Sequence, residues 1–178
     1  MEITNEITNA HACLSKALYS AHYEAAYREN ASTLAVQISA ESTQDFVKAC
    51  MAALATIGKN HAPIVEIYEF LMTGKKTGDK IPGWGSSFHK GKNDPHFIPV
   101  RFLLESINKE LFNRINEITA ELHLAGKNIY PNPGCWTAAA AITFGMPKEI
   151  SPILFLRPRM DAWAIIFSQT INTKTPND

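Results

Sequence analysis

Residues 99–124 read PVRFLLESINKELFNRINEITAELHL. Val100, Leu103, Leu104, Ile107, Leu111, Ile115, Ile118 and Leu122 recur at intervals of three and four, which places them on one face of an α-helix. The spacing predicts one continuous helix from Pro99 to Leu124, with Gly126 as its stop. Downstream, Tyr130-Pro131-Asn132-Pro133-Gly134 reads as a turn. The small run Ala138 to Ala141 before Gly145 predicts helices packed closely together. A last helical run covers Ile150 to Ile171, with Ser151 as a candidate N-cap and Pro158 as an expected kink or break.

Upstream the pattern is again helical. A first helix is expected from Asn9, as N-cap, to Arg28. After Asn30-Ala31-Ser32-Thr33, the residues Leu34, Val36, Ile38 and Ala40 fit either helix or strand. Ser42 and Thr43 precede a clearer helix with Phe46, Val47, Cys50, Leu54 and Ile57 at helical spacing, which Gly58 ends; Ala62 to Met72 gives another. Residues 73–95 differ: Gly74, Gly78, Gly83, Gly85 and Gly91 crowd into them with Pro82 and Pro95, and long loops of this kind are often functional. No run alternates with period two and no internal repeat is present. The expected fold is all-α, one domain over residues 1–178 with a flexible polar tail from 172 to 178.

Composition narrows the function classes. The chain of 178 residues carries 17 basic and 17 acidic side chains, so no nucleic-acid surface and no charged tail is expected. No apolar run is long enough to span a membrane, and the first twenty residues lack the apolar and basic regions of a signal peptide. Cys13, Cys50 and Cys135 are odd in number and far apart, which predicts neither a disulfide framework nor a metal site and fits a cytoplasmic protein; all three read as small core residues.

Two stretches carry a resemblance. Ile81-Pro82-Gly83-Trp84-Gly85-Ser86-Ser87-Phe88-His89-Lys90 with Asp94-Pro95-His96 is similar to the citrate synthase loop G-F-G-H-x-x-Y-K-x-x-D-P-R, and closer to the I-P-G-F-G-H-P-x-H-K form of citryl-CoA-lyase-like relatives. Tyr130 to Trp136, continued to Gly145-Met146-Pro147, resembles Y-P-N-V-D-F-Y…G-I-P. Two weaker stretches agree in order. Asn30-Ala31-Ser32-Thr33 resembles N-A-S-T, and Gly58-Lys59-Asn60-His61-Ala62-Pro63 resembles G-P-x-H-G-G-A. Phe155-Leu156-Arg157-Pro158-Arg159 with Trp163 resembles F-A-x-A-R-x-x-G-W. The resemblance implies a citrate-synthase-like helical domain, truncated relative to full-length members in its N-terminal large-domain part, with residues 73–150 matching the small domain.

That family joins acetyl-CoA to oxaloacetate, which needs a carboxylate base, histidines that stabilise an enol and protonate a carbonyl, and arginines that hold a dicarboxylate. Matched by position, the carboxylate falls on Gly134 and the carbonyl-polarising histidine on Ser86. Two further histidines fall on Glu24 and Tyr27, and one arginine falls on His96. His61 and Arg159 match their motifs. The resemblance thus implies His61, His89 and Ser86 as catalytic candidates. It implies Arg159, His96 and Asn132 as substrate contacts, and Gly83, Gly85 and Lys90 as coenzyme A contacts.

Each residue also has a plain reading. His61 suits a helix C-terminus. His89, Lys90 and Lys92 suit a solvated loop, His96 a surface, and Arg159 a structural salt bridge. His11, His22 and His123 belong to no motif and read as structural. Trp84 reads as core. No metal and no tightly bound cofactor is expected. The implied partners are an acyl-CoA (acetyl-CoA or coenzyme A as co-substrate), a small dicarboxylate, and a second copy in a homodimer or a chain that completes the site. Loss of the base implies impaired or altered synthase or lyase chemistry, or a non-catalytic binding subunit.

Overall fold

The computed structural model describes residues 2–28, 30–58, 61–75 and 80–173, with side chains from residue 6 onward. Lys59 and Asn60 of the G-P-x-H-like motif, Gly78 and the end of the expected tail (174–178) lie outside the described residues. Among the described residues there are eight α-helices and no strand: α1 Glu2–Ala25, α2 Ala31–Thr43, α3 Phe46–Ala55, α4 Ile64–Thr73, α5 Ile98–Ile107, α6 Lys109–Leu124, α7 Pro133–Thr143 and α8 Ile153–Asn172. A 3-10 turn, Pro95–Phe97, leads into α5.

The ambiguous second segment is a helix, α2. The Asn30 side chain accepts the Thr33 N–H at 3.2 Å, and its apolar residues split by helical rather than alternate spacing: Val36 and Ala40 are buried, Leu34 and Ile38 exposed. Asp45 caps α3 by accepting the Val47 and Lys48 N–H groups.

Five further expectations are corrected. α1 begins seven residues before Asn9, since no glycine or proline interrupts residues 2–8, and it ends at Ala25, which frees Arg28 from the helix. The long helix from Pro99 is two helices. At Asn108 the backbone leaves helical geometry (φ −138°, ψ 70°), its side chain caps α6 at the Leu111 N–H, and its amide donates to Thr143 Oγ1 at 3.1 Å. Ser151 donates to the Lys148 carbonyl instead of capping α8, and α8 runs through Pro158 without a break. Burial of Phe155, Ala162 and Trp163 on either side offsets the helix bond that proline removes. Cys13 is exposed, while Cys50 and Cys135 are buried.

α7 sits at the centre. Ala138 to Ala141 have no exposed surface, and the helix packs against α4 and α5. Gly126 ends α6 as expected, in the left-handed region (φ +76°), with the Lys127 N–H returning to the Leu122 carbonyl. A second, smaller core joins α2, α3 and α8 through Val36, Ala49, Ala53, Trp163 and Ile166.

Candidate functional site

The irregular glycine segment is fastened to the start of α7. The Gly85 N–H donates to the Tyr130 carbonyl and the Asn132 N–H to the Gly83 carbonyl, each at 2.8 Å. Asn132 completes the join. Its Oδ1 accepts the Gly134 and Cys135 N–H groups that open α7, while its Nδ2 donates to the Gly85 carbonyl at 3.1 Å. Gly83 is required here: at φ +90° a Cβ would lie 2.9 Å from Ile67 Cγ2. Trp84 is anchored in the core, with Nε1 donating to Thr119 Oγ1 and its ring edge-on to Phe70.

This join forms one wall of a cavity of about 230 Å³. Four positions picked out by separate motifs, His61, Ser86, Gly134 and Arg159, all line it, with Gly85 and Asn132. The chain entering α4 is bent to present His61: the next residue, Ala62, holds φ +56°, a conformation that costs a residue with a Cβ about 1 kcal/mol.

His61 Nε2 lies 3.3 Å from Ser32 Oγ. The Ser32 hydroxyl gives its proton to Asn30 Oδ1 at 2.7 Å, so Nε2 is the donor and His61 Nδ1 is the basic atom. Burial, reinforced by the Arg159 charge, pushes the His61 pKa below its ordinary value, so the ring is neutral at pH 7. Ser86 Oγ accepts the Phe88 and His89 N–H groups and keeps its own proton to give. Arg159 is 5% exposed; its Nη1 donates to the Ala25 carbonyl at 3.1 Å, and its guanidinium lies 5.0 Å from the Phe155 ring centre. Its Nε has no partner among the described residues, and it makes no ion pair there. Burial and then the nearby Arg28 charge pull its pKa down to about 10, against the opposing pull of Asp94.

The carboxylate that the resemblance looks for is absent, and its space is partly filled. A Cβ on Gly134 would stand 2.7 Å from Ile67 Cδ1, 3.1 Å from Asn132 Oδ1 and 3.5 Å from Ile64 Cδ1.

Sequence reasoning missed Arg28 and gave no role to Asp94. Both line the cavity, and they form a two-pronged ion pair: Nη1 to Oδ2 at 2.7 Å and Nη2 to Oδ1 at 3.0 Å. Burial pushes the Asp94 carboxyl up, but the Arg28 bonds and charge, with the His96 N–H, outweigh it and hold the pKa below its usual value. Asp94 was visible in its motif; Arg28, beyond the end of α1 and 66 positions from its partner, carried no signal.

The other candidates lie elsewhere. His89 is behind the pair, Nε2 3.6 Å from Asp94 Oδ2, and does not line the cavity; burial lowers its pKa despite that carboxylate. His96 faces a separate groove beside α1, where Nδ1 meets Glu24 Oε2 at 2.7 Å. Lys90 is exposed on the loop, and Gly83 is buried beneath it. His22 is fully buried between Phe97 and Phe155 and bonded to Thr137. Among the described residues no cluster of His, Cys, Asp and Glu could hold a metal, and no helix is long and apolar enough to cross a membrane.

No family model and no curated protein matches the chain. A solved structure does: citryl-CoA lyase from Hydrogenobacter thermophilus, with a TM-score of 0.77 and 16% sequence identity, covering 95% of this chain and 74% of that one. At that identity the likeness shows the fold. The chain has the all-α, citrate-synthase-like fold of that lyase, in agreement with the motif resemblance.

Proposed function

We propose that this protein binds a small carboxylic acid in the cavity and a coenzyme A thioester against the glycine loop. We further propose that it retains an altered form of citrate-synthase or citryl-CoA-lyase chemistry. The observation that carries this reading is the meeting of His61, Ser86 and Arg159 around one cavity in that fold. Arg159 supplies a desolvated cation for a carboxylate, the interaction such a group otherwise lacks. Ser86 can donate to a carbonyl oxygen. His61, neutral with Nδ1 free of a proton, is the group able to take one at pH 7. Asp94 is a poor base because Arg28 stabilises its ionised form.

Acetyl-CoA binding by calorimetry, and coenzyme A release with oxaloacetate or pyruvate, test the reading. Silence in both assays ends it. A second reading has its own support: Gly134 offers no base and Ile67 crowds the place of one, which favours a non-catalytic binding subunit. Binding without turnover selects it.

In either case the working unit is a homodimer. Its support is the apolar surface left open on the α2–α3 pair, where Leu34 and Ile38 stand one turn apart and Val47, Met51 and Leu54 form a stripe. Light scattering that returns the mass of one chain removes the dimer.

A further inference from the structure

Among the described residues lining the cavity, four can carry charge: Arg28, His61, Asp94 and Arg159. His61 is neutral at pH 7. The Arg28 charge is neutralised, since one N–H of each terminal nitrogen bonds an Asp94 oxygen, and Asp94 Oδ1 also takes the His96 N–H at 3.1 Å. What remains is Arg159, buried, with Nε unpartnered and Nη1 bonded only to a neutral carbonyl. The lining charge is two guanidiniums less one carboxylate, or +1, and the uncompensated part sits at Arg159.

We propose that the cavity selects a short oxo or hydroxy acid with a single carboxylate, held by Arg159, and that Asp94 excludes a second carboxylate. The inference rests on the carboxylate-binding reading above, and it departs from the dicarboxylate that the family resemblance implies. A second carboxylate in about 230 Å³ has two fates. It shares Arg28 with Asp94, which has already neutralised that charge and repels the newcomer, or it stays unpaired and close to the Asp94 charge. Both cost affinity, because a desolvated anion needs a partner of its own. The ligand's oxo or hydroxy oxygen meets the Ser86 hydroxyl, whose proton no neighbouring group claims. The small volume also leaves the nucleotide of a coenzyme outside, since pockets for drug-sized ligands occupy about 300–1,000 Å³.

The probes are (S)-lactate and (S)-malate, which share a hydroxy acid and differ by one carboxylate, titrated calorimetrically into the full chain. Lactate is expected to bind at least about tenfold more tightly, a difference of about 1.4 kcal/mol. Asp94→Asn can keep the cap on the 3-10 turn and the Arg28 Nη2 bond through Oδ1, while its Nδ2, a donor, breaks the bond to Arg28 Nη1 and the charge is removed. Both acids should then gain, malate at least about tenfold more than lactate. Malate binding the wild type as tightly as lactate overturns the proposal while leaving the carboxylate site intact. Equal changes for both acids in Asp94→Asn, with the fold verified by its melting temperature, also overturn it. If neither acid binds the wild type, the proposal and the reading beneath it fall together. Should Asp94→Asn fail to fold, the wild-type ratio alone decides.

Discussion

Restoring an acidic side chain at position 134 is the most direct way to ask why the site lacks one. A Cβ there would stand 2.7 Å from Ile67 Cδ1, against the roughly 3.5–4.0 Å of relaxed carbon contacts, so the methyl must retreat by about 1 Å. Ile67 has no exposed surface, so there is little room for that retreat. Overpacking of this kind costs about 1–3 kcal/mol. An aspartate adds repulsion from Asn132 Oδ1, 3.1 Å from the new Cβ. Its position in the first turn of α7 returns about 0.3–1 kcal/mol through the helix dipole. With the repulsion and the dipole roughly offsetting, the net expectation for Gly134→Asp is a loss of about 1–3 kcal/mol, or about 2–12 °C in melting temperature at this chain length. Ile67→Val removes the obstructing methyl at a cost of about 0.5–1.5 kcal/mol by itself. In a double-mutant cycle followed by urea denaturation, the two changes should couple favourably by about 1–2 kcal/mol. Additivity within about 0.5 kcal/mol would refute the argument, because the Ile67 methyl would then not be what crowds the position.

Three other outcomes are expected. Arg28→Ala strands a carboxylate that is 2% exposed and should cost about 3 kcal/mol at neutral pH. The Asp94 pKa is depressed, so the stabilisation is present above 3.8 and lost as pH falls through the folded value; the penalty should shrink in the same range, read from urea titrations of both proteins. Ala62→Gly relieves a left-handed alanine and should add about 0.5–1 kcal/mol, and an unchanged or lower melting temperature contradicts the strain assigned to that residue. His22 is held neutral, first by burial and then by Arg159, with its pKa well below 6.5. Below pH 6.5 the unfolded chain takes up a proton that the fold refuses, so stability should fall with pH, approaching about 1.4 kcal/mol per unit. A His22→Gln variant should show a correspondingly flatter profile below pH 6.5, and an identical slope counts against the assignment.

Helical periodicity was enough to read the fold class, and motif order was enough to gather His61, Ser86, Gly134 and Arg159 before their distances were known. What periodicity cannot report is a break that keeps the phase. The apolar face continues from Leu104 to Leu111 across Asn108, and only the bond from Asn108 to Thr143, 35 positions away, shows why the chain turns there. Arg28 escaped for a related reason. A lone cation after a helix resembles any solvated charge until its partner, far off in sequence, is folded against it. The backbone of Ala62 was legible only through the resemblance, whose motif has a glycine at that position, because alanine itself gives no hint of a left-handed conformation. Motif position does not fix direction either: His96, standing where the motif has arginine, turns to Glu24, and His89, which matches its motif, lies behind Asp94.

Asn132 draws on both sides of its amide, binding the glycine segment with Nδ2 and the first turn of α7 with Oδ1. Loop and helix therefore behave mechanically as a single part. The amide protons of Gly85 and Asn132 should exchange with solvent only on the timescale of opening that whole part, far more slowly than those of an ordinary surface loop. A ligand arriving at this wall finds it already assembled, so little of its binding free energy is spent on ordering the receptor.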